Sequence, residues 1–292
     1  MKRSLRLSLR ILALVLALCM IAAVVSAIFC AHVLKVTRYD VAMDGVVHPM
    51  RLVIVADIHG KEYGQDNASL YEKVRQQSPD AIILLGDLLT SHAEEADIDY
   101  VIRLTQGMQE IAQVYFAMGN HEKSYTAAYG SAWIHDVSAT GAIVLDETWD
   151  DFDIAGNTIR LGGTMGHGYL FGRSAEQFEA SPEYAVLSAL EDSPVPAILL
   201  SHMPDTVALS DGKERWHIPL VLSGHTHGGV IRLPFVGGVY APMQHWWPTY
   251  DYGDMMLNDE MRMIITSGLS GHDLVPRVFN LPEIVVIDLH AP

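Results

Sequence analysis

Residues 51–60 read RLVIVADIHG and residues 81–87 read AIILLGD; in each, an aliphatic run stops abruptly at glycine, acidic or imidazole residues. Three later stretches repeat the pattern: VYFAMGNHE at 114–122, AILLSH at 197–202 and LVLSGHTHGG at 220–229. Short runs of Val, Ile and Leu without polar alternation mark strands covered on both faces, as in parallel sheets between helices. Strands are therefore predicted at 51–56, 81–85, 114–118, 197–200 and 220–223. Outward from them, 68–77 and the amphipathic 94–111 read as helices, and 124–139 as a third that stops at Gly141. Residues 152–154 and 158–161 flank the turn pair Gly156-Asn157 as a hairpin, and further strands fall at 262–266 and 284–289. The alternation is that of an α/β domain over residues 50–292, with strands enough for two sheets and helices on their outer faces. Residues 233–253, rich in Pro, Gly, Tyr and Trp, read as a long structured loop of the kind that often carries function.

Ahead of this domain, Lys2, Arg3, Arg6 and Arg10 precede an almost uncharged run from Ile11 to Cys30. About 20 helical residues at ~1.5 Å each cover the ~30 Å hydrocarbon core of a bilayer. The segment therefore reads as a basic cytoplasmic stretch (1–10), a transmembrane signal anchor (11–34), and a linker and first-strand region (35–49). Only Lys35 and Arg38 come closely after the span, so the charge bias places the N-terminus inside and the domain outside a cell membrane crossed once. A cleaved signal peptide ending at Val25-Ser26-Ala27 is the rival, but the apolar run exceeds the ~7–15 residues of a signal peptide's central region. Both cysteines, Cys19 and Cys30, lie in the anchor, so the domain forms no disulfide. The net charge is -16; residues 1–40 hold six basic residues and one acidic, +5, which leaves -21 on the remainder. Such a surface disfavours duplex nucleic acid, and a phosphorylated substrate must find a local cation.

The chemistry lies in the residues at the end of each aliphatic run. Asp57 and His59 come after the first strand, Asp87 after the second, Asn120, His121 and Glu122 after the third, His202 after the fourth, and His225 and His227 after the fifth. Any one of these alone is ordinary: a Gly-Asp pair is usually a turn or cap, and a lone histidine is usually structural. Five in order at strand ends are not, because α/β sheets gather their sites beyond the carboxyl ends of strands. Imidazoles, carboxylates and a carboxamide, with no thiolate, suit Mn, Fe, Zn or Co. Seven such ligands exceed the three typical of one catalytic zinc, so two divalent ions are expected. His92, His135, His167, His217, His245, His272 and His290 fall outside the pattern and read as surface or core residues, although His167 and His272 adjoin glycines.

The ordered elements Asp57-x-His59, Gly86-Asp87, Gly119-Asn120-His121-Glu122, His202 and Gly224-His225-x-His227 resemble the signature of the calcineurin-like metallophosphoesterases. Gly228-Gly229, Leu233-Pro234, Ser267-Gly268-Leu269 and Asn280-Leu281-Pro282-Glu283-Ile284 are similar to the membrane-associated YkuE-like branch. The resemblance implies a four-layer αββα sandwich of two mixed sheets, with Asp57, His59 and His227 on one metal, Asn120, His202 and His225 on the other, and Asp87 bridging. It implies hydrolysis of a phosphoester or phosphoanhydride by a hydroxide formed between the ions. His121 would protonate the leaving oxygen and Glu122 would hold its ring. The anchor points to a lipid-linked or envelope phosphate. The alternatives are a tethered metal-binding module without turnover and a nuclease or cyclic nucleotide phosphodiesterase. Residues 240–252, with Trp246 and Trp247, either cover a sheet edge or rest at the membrane interface, where Trp and Tyr concentrate.

Overall fold

A computed structural model describes residues 2–166, 174–209, 211–271 and 275–292, with side chains from residue 5 onward. His167 and His272 lie outside the described residues. In chain order the strands are β1 (Lys35–Ala42), β2 (Met50–Val55), β3 (Ala81–Leu85), β4 (Gln113–Ala117), β5 (Ile143–Leu145), β6 (Thr148–Ile154), β7 (Asn157–Thr164), β8 (Ala197–Ser201) and β9 (Leu220–Ser223). Two small ladders come next, β10 (Arg232–Leu233) with β11 (Gly237–Gly238) and β12 (Tyr240–Ala241) with β13 (His245–Trp246). The last three are β14 (Gly253–Met256), β15 (Arg262–Ile265) and β16 (Glu283–His290).

One six-stranded sheet runs β1-β16-β2-β3-β4-β5 and the other β14-β15-β9-β8-β7-β6. Both are mixed: β2 to β5 are parallel neighbours with β16 antiparallel to β2, and β15, β9, β8 and β7 are parallel between antiparallel edges. Strand alternation divides the apolar residues between two surfaces. Leu52, Ile54, Ile83 and Leu85 face Ile198, Leu200, Leu222 and Ile264 between the sheets. Val53, Val55, Ile82 and Leu84 turn outward onto α2 (Ala68–Arg75), α3 (Ile98–Gln109), α4 (Asn120–Tyr129) and α5 (Ala132–Ala139). On the far side Leu199, Val221 and Met263 meet α6 (Ala175–Glu179), α7 (Pro182–Glu191) and α8 (Asp205–Ala208), with Trp216 just after α9 (Gly212–Arg215). The result is the expected four-layer sandwich, helices outside two mixed sheets.

Helix α1 (Lys2–His32) contains a 28-residue apolar stretch, Leu5–His32, long enough to cross a membrane, and its most apolar window buries nothing against the rest of the chain. Its final turns do touch the domain. Cys30 is buried, Leu34 packs beneath the helical layer, and Ser26 Oγ accepts a hydrogen bond from the Phe279 backbone N–H at 2.6 Å.

The region read as linker and first strand is mostly sheet, since β1 pairs along its whole length with β16. The single helix expected over 124–139 is two, starting earlier at Asn120 and broken at Gly130, whose φ of 85° no helix contains. The break lets Tyr125 and Trp133, on separate helices, stack edge to face over the same apolar layer. Sequence reading omitted β5, the helices α6 to α9 and β14, and shortened β6, whose polar outer face hides its strand character.

Candidate metal centre

Strands β2, β3 and β4 are parallel neighbours in one sheet, and β15, β9 and β8 in the other, so six carboxyl ends open toward one end of the sandwich. Backbone bonds tie the two sets together: Leu269 N–H donates to Ala56 O (3.0 Å) and Ser270 N–H to Asp57 O (2.7 Å). Each loop then turns sharply. Asp57, His59, Asp87, His225 and His227 all have positive φ, between 47° and 66°. Left-handed backbone at non-glycine residues costs energy and concentrates at functional sites, where surrounding structure enforces it.

The structure brings all seven sequence-predicted ligands to one place. Ligand atoms of Asp57, His59 and His227 lie within 4.8 Å of one another, as do those of His59, Asp87 and His121, and those of Asp87, His202 and His225. Asp87 Oδ2 is the common point, 3.2 Å from His202 Nε2, 3.6 Å from His121 Nε2 and 4.0 Å from His59 Nε2. Asn120 lines the same pocket of roughly 240 Å³ with His59, His121, His225 and His227.

The imidazoles are oriented from behind. Nδ1 of His59 meets Leu89 O (3.1 Å), that of His202 meets Leu85 O (2.9 Å), and that of His227 meets Ser270 O (3.2 Å). A carbonyl accepts only, so each Nδ1 carries a proton and each Nε2 points inward, the arrangement metal-binding histidines adopt. The buried Nε2 of His59, both ring nitrogens of His225 and Oδ1 of Asn120 have no hydrogen-bond partner, and Nε2 of His202 faces the Asp87 carboxylate. Buried polar atoms are normally satisfied, so a cluster of orphaned nitrogens and an amide oxygen around a carboxylate fits divalent cations.

Electrostatics agrees. Burial pushes the Asp57 carboxyl up to about 7 and lowers His59 to about 4 and His225 to about 3. Burial also depresses His227. These are neutral imidazoles, the form that donates to a metal. Burial acts to raise Asp87, but the adjacent His202 charge outweighs it and holds Asp87 well below the carboxylate range, while His202, opposed by its own burial, rises to about 10 beside Asp87.

The placement of Glu122 differs from the sequence reading. Its carboxylate accepts four backbone N–H groups, from Asp87 (2.8 Å), Leu88 (2.9 Å), Leu89 (3.0 Å) and Gly119 (2.9 Å), and it is fully buried. Burial and the Asp87 charge raise its pKa, while the N–H donors from Leu89 and Gly119 oppose them. Its oxygens are therefore committed to the turn that carries Asp87, not to the His121 ring. His121 sits on the same framework through its own N–H, which donates to Asp87 Oδ1 (3.0 Å).

Glycine is needed where these turns meet. A Cβ at Gly86, whose φ is +76°, would lie 2.5 Å from His202 Nδ1. One at Gly119 would press on Asp87 Oδ1 and stand 2.5 Å from Asp87 N. Gly119→Ala is expected to lower kcat/KM by about 100-fold or more, since ~1 Å of displacement at a reacting centre costs that much. Steady-state kinetics beside a circular-dichroism melt checks this, and near-normal turnover would contradict the packing.

Sequence reasoning missed Arg277. It is buried, and its guanidinium donates to the carbonyls of Ser267, Gly268 and Ser270, the last of which also receives His227 Nδ1. No motif spacing announces it; only the neighbouring Ser267-Gly268-Leu269 drew notice. Of the other histidines, His217 pairs with Glu191 and His290 with Asp40 at the surface, and His92, His135 and His245 are exposed. Trp246 and Trp247 are 68% and 57% exposed.

The family profile described as calcineurin-like phosphoesterase matches residues 50–229, which contain every one of these ligands. The chain belongs to that family. This phosphoesterase is 27% identical over 259 residues to an uncharacterised metallophosphoesterase of Campylobacter jejuni, with 87% of this chain and 63% of that protein covered. It thus spans under two thirds of that relative. It is 25% identical to the uncharacterised metallophosphoesterase YkuE of Bacillus subtilis, covering 89% of this chain and 87% of the other. A Danio rerio transmembrane protein with metallophosphoesterase domain is 28% identical, covering 67% and 46% respectively. Among solved structures, the protein TT1561 of Thermus thermophilus superposes with a TM-score of 0.50 at 14% identity over 76% of this chain and 90% of that one, a likeness of fold. Members of this family are metal-dependent hydrolases of ester bonds that work with two divalent ions, and the His/Asp clusters of this chain are suited to hold such ions.

Proposed function

We propose that the chain is anchored by α1 and hydrolyses a phosphoester or phosphoanhydride carried by a lipid-linked or envelope molecule outside the cell. The observation that carries the reading is the set of orphaned, inward-facing ligand atoms around Asp87 Oδ2. Asp57, His59 and His227 would hold one ion, Asn120, His202 and His225 the other, and Asp87 would serve both. The ions would supply an acidified water as nucleophile and positive charge for the phosphoryl oxygens.

The chain's own residues do the rest. Carbonyls of Leu85, Leu89 and Ser270 fix the imidazole tautomers, and Glu122 fixes the turn behind Asp87. His121, the most accessible imidazole around Asp87, at 18% side-chain exposure, is placed to give a proton to the leaving oxygen. Among the described residues lining the pocket there is no Lys or Arg, so capture of phosphate falls to the ions on an otherwise acidic surface. Lys2, Arg3, Arg6 and Arg10 ahead of the apolar stretch support a cytoplasmic N-terminus and an outer catalytic domain.

Purified full-length protein in detergent should hydrolyse bis(p-nitrophenyl) phosphate with manganese, lose that activity to a chelator and regain it on metal return. A fragment starting at residue 41 would lose most of β1 and is unsuitable. Protein that binds metal yet turns over nothing with Mn, Fe, Zn or Co would instead be a binding module.

A further inference from the structure

Beside the metal pocket is a second cavity of roughly 420 Å³, lined by Gly229, Val230, Ile231, Val239, Tyr240, Trp246 and Val275. Two described chain segments contribute to both walls: His227 lines one cavity and Gly229 the other, and Pro242 lines one and Tyr240 the other. Apart from the backbone and the Tyr240 hydroxyl and Trp246 indole N–H, it offers only hydrocarbon. A solvent-facing apolar slot two residues from a metal ligand is unusual for a site that handles only small polar phosphates.

Its position relative to α1 gives it a neighbour. The segment forming one side is bonded to the anchor, Phe279 N–H to Ser26 Oγ. Ser26 lies six residues, or ~9 Å, back from the helix end at His32, inside the apolar stretch Leu5–His32. The same segment is bonded to the slot's other side, where Arg232 N–H donates to Val278 O (2.9 Å) and Ile231 bridges Val278. Around this junction Phe235, Val236 and Trp247 are 109%, 63% and 57% exposed and Phe279 43%. Exposed Phe, Val and Trp fastened to a membrane-length helix near its end are placed at the level of the bilayer surface. The domain's net charge excludes attraction to anionic headgroups as the cause, leaving apolar contact.

We propose that this slot holds the hydrocarbon chain of a membrane lipid whose phosphate occupies the metal pocket, so that the enzyme draws its substrate from the bilayer in which α1 is embedded. The inference rests on the phosphoesterase reading above and adds the substrate's apolar half and the residues that select it. Ile231, Tyr240, Trp246 and Val275 grip the chain, and the exposed Phe235-Val236 tip seats the slot's mouth against the membrane.

The test is a homologous series of p-nitrophenyl alkyl phosphodiesters, two to eight carbons long, offered to the full-length protein below their critical micelle concentrations. Each methylene removed from water is a factor of about four. KM should therefore fall by at least about tenfold across the series while kcat holds, and the trend should flatten in Trp246→Ser and Val275→Asn. Both positions are partly exposed, at 68% and 39%, so the fold tolerates the changes. An eight-carbon homologue brominated at its terminal carbon should also quench tryptophan emission, and much less so in Trp246→Phe. A flat KM in wild type with clear turnover, or a trend that survives both substitutions, overturns the slot and leaves the phosphoesterase intact. No hydrolysis of any homologue with any metal overturns the phosphoesterase reading itself.

Discussion

Asp87→Asn should reduce kcat by about 10³-fold or more and take the bound metal from two ions per chain toward one or none. The carboxylate approaches His59, His121 and His202 together, and it belongs to two of the ligand clusters at once. A carboxamide keeps the shape and an oxygen for the His121 N–H but has no charge to share between two cations. The loss is larger than that of a single charge-stabilising hydrogen bond, itself worth ~10²–10³ in rate. Because the substitution is isosteric, the fold should survive. Metal analysis, turnover of a chromogenic phosphodiester and a melting curve on the same preparation separate the possibilities. Wild-type turnover with two ions bound would remove Asp87 from the centre of the site.

Glu122→Gln should lower the melting temperature by roughly 10 °C and cut both metal retention and turnover. The two carboxylate oxygens each accept two backbone N–H groups, Oε1 from Leu88 and Leu89, Oε2 from Asp87 and Gly119. Whichever way a carboxamide is turned, its NH₂ faces two N–H donors in a fully buried place. Each unsatisfied buried donor costs ~1–3 kcal/mol, for a total of about 3–5 kcal/mol, and a chain of this size loses ~2–4 °C per kcal/mol. This outcome separates two roles for the residue. A group acting through the His121 ring would lose turnover and keep its melting temperature, whereas a group that clamps the Asp87 turn loses both. An unchanged melt would count against the clamp.

Asp87 and Glu122 mark where sequence and structure part. The aliphatic runs at 51–56, 81–85, 114–118, 197–200 and 220–223 are legible because strands covered on both faces admit little else, and all five lie within a residue or two of β2, β3, β4, β8 and β9. Strands with a polar outer face, such as β6, and short ones, such as β5, carry too weak a pattern to be read. Glu122 could be recognised as belonging to the site but not for what it does. Its neighbour in sequence is His121, whereas three of its four partners, Asp87, Leu88 and Leu89, come from another strand's loop. Arg277 was invisible for the same reason, since it acts on backbone carbonyls that any residue presents.

By itself the sequence determined the layer order, the membrane-length apolar helix and the identity of the residues that gather at strand ends, because hydrophobic period and side-chain chemistry are local properties. Only the tertiary structure decided which atoms face inward, which carbonyls set the imidazole tautomers, and that chain segments lining the metal pocket also line an apolar slot. Those depend on backbone groups brought together from distant loops, and every residue carries the same N–H and C=O until the fold gives them an address.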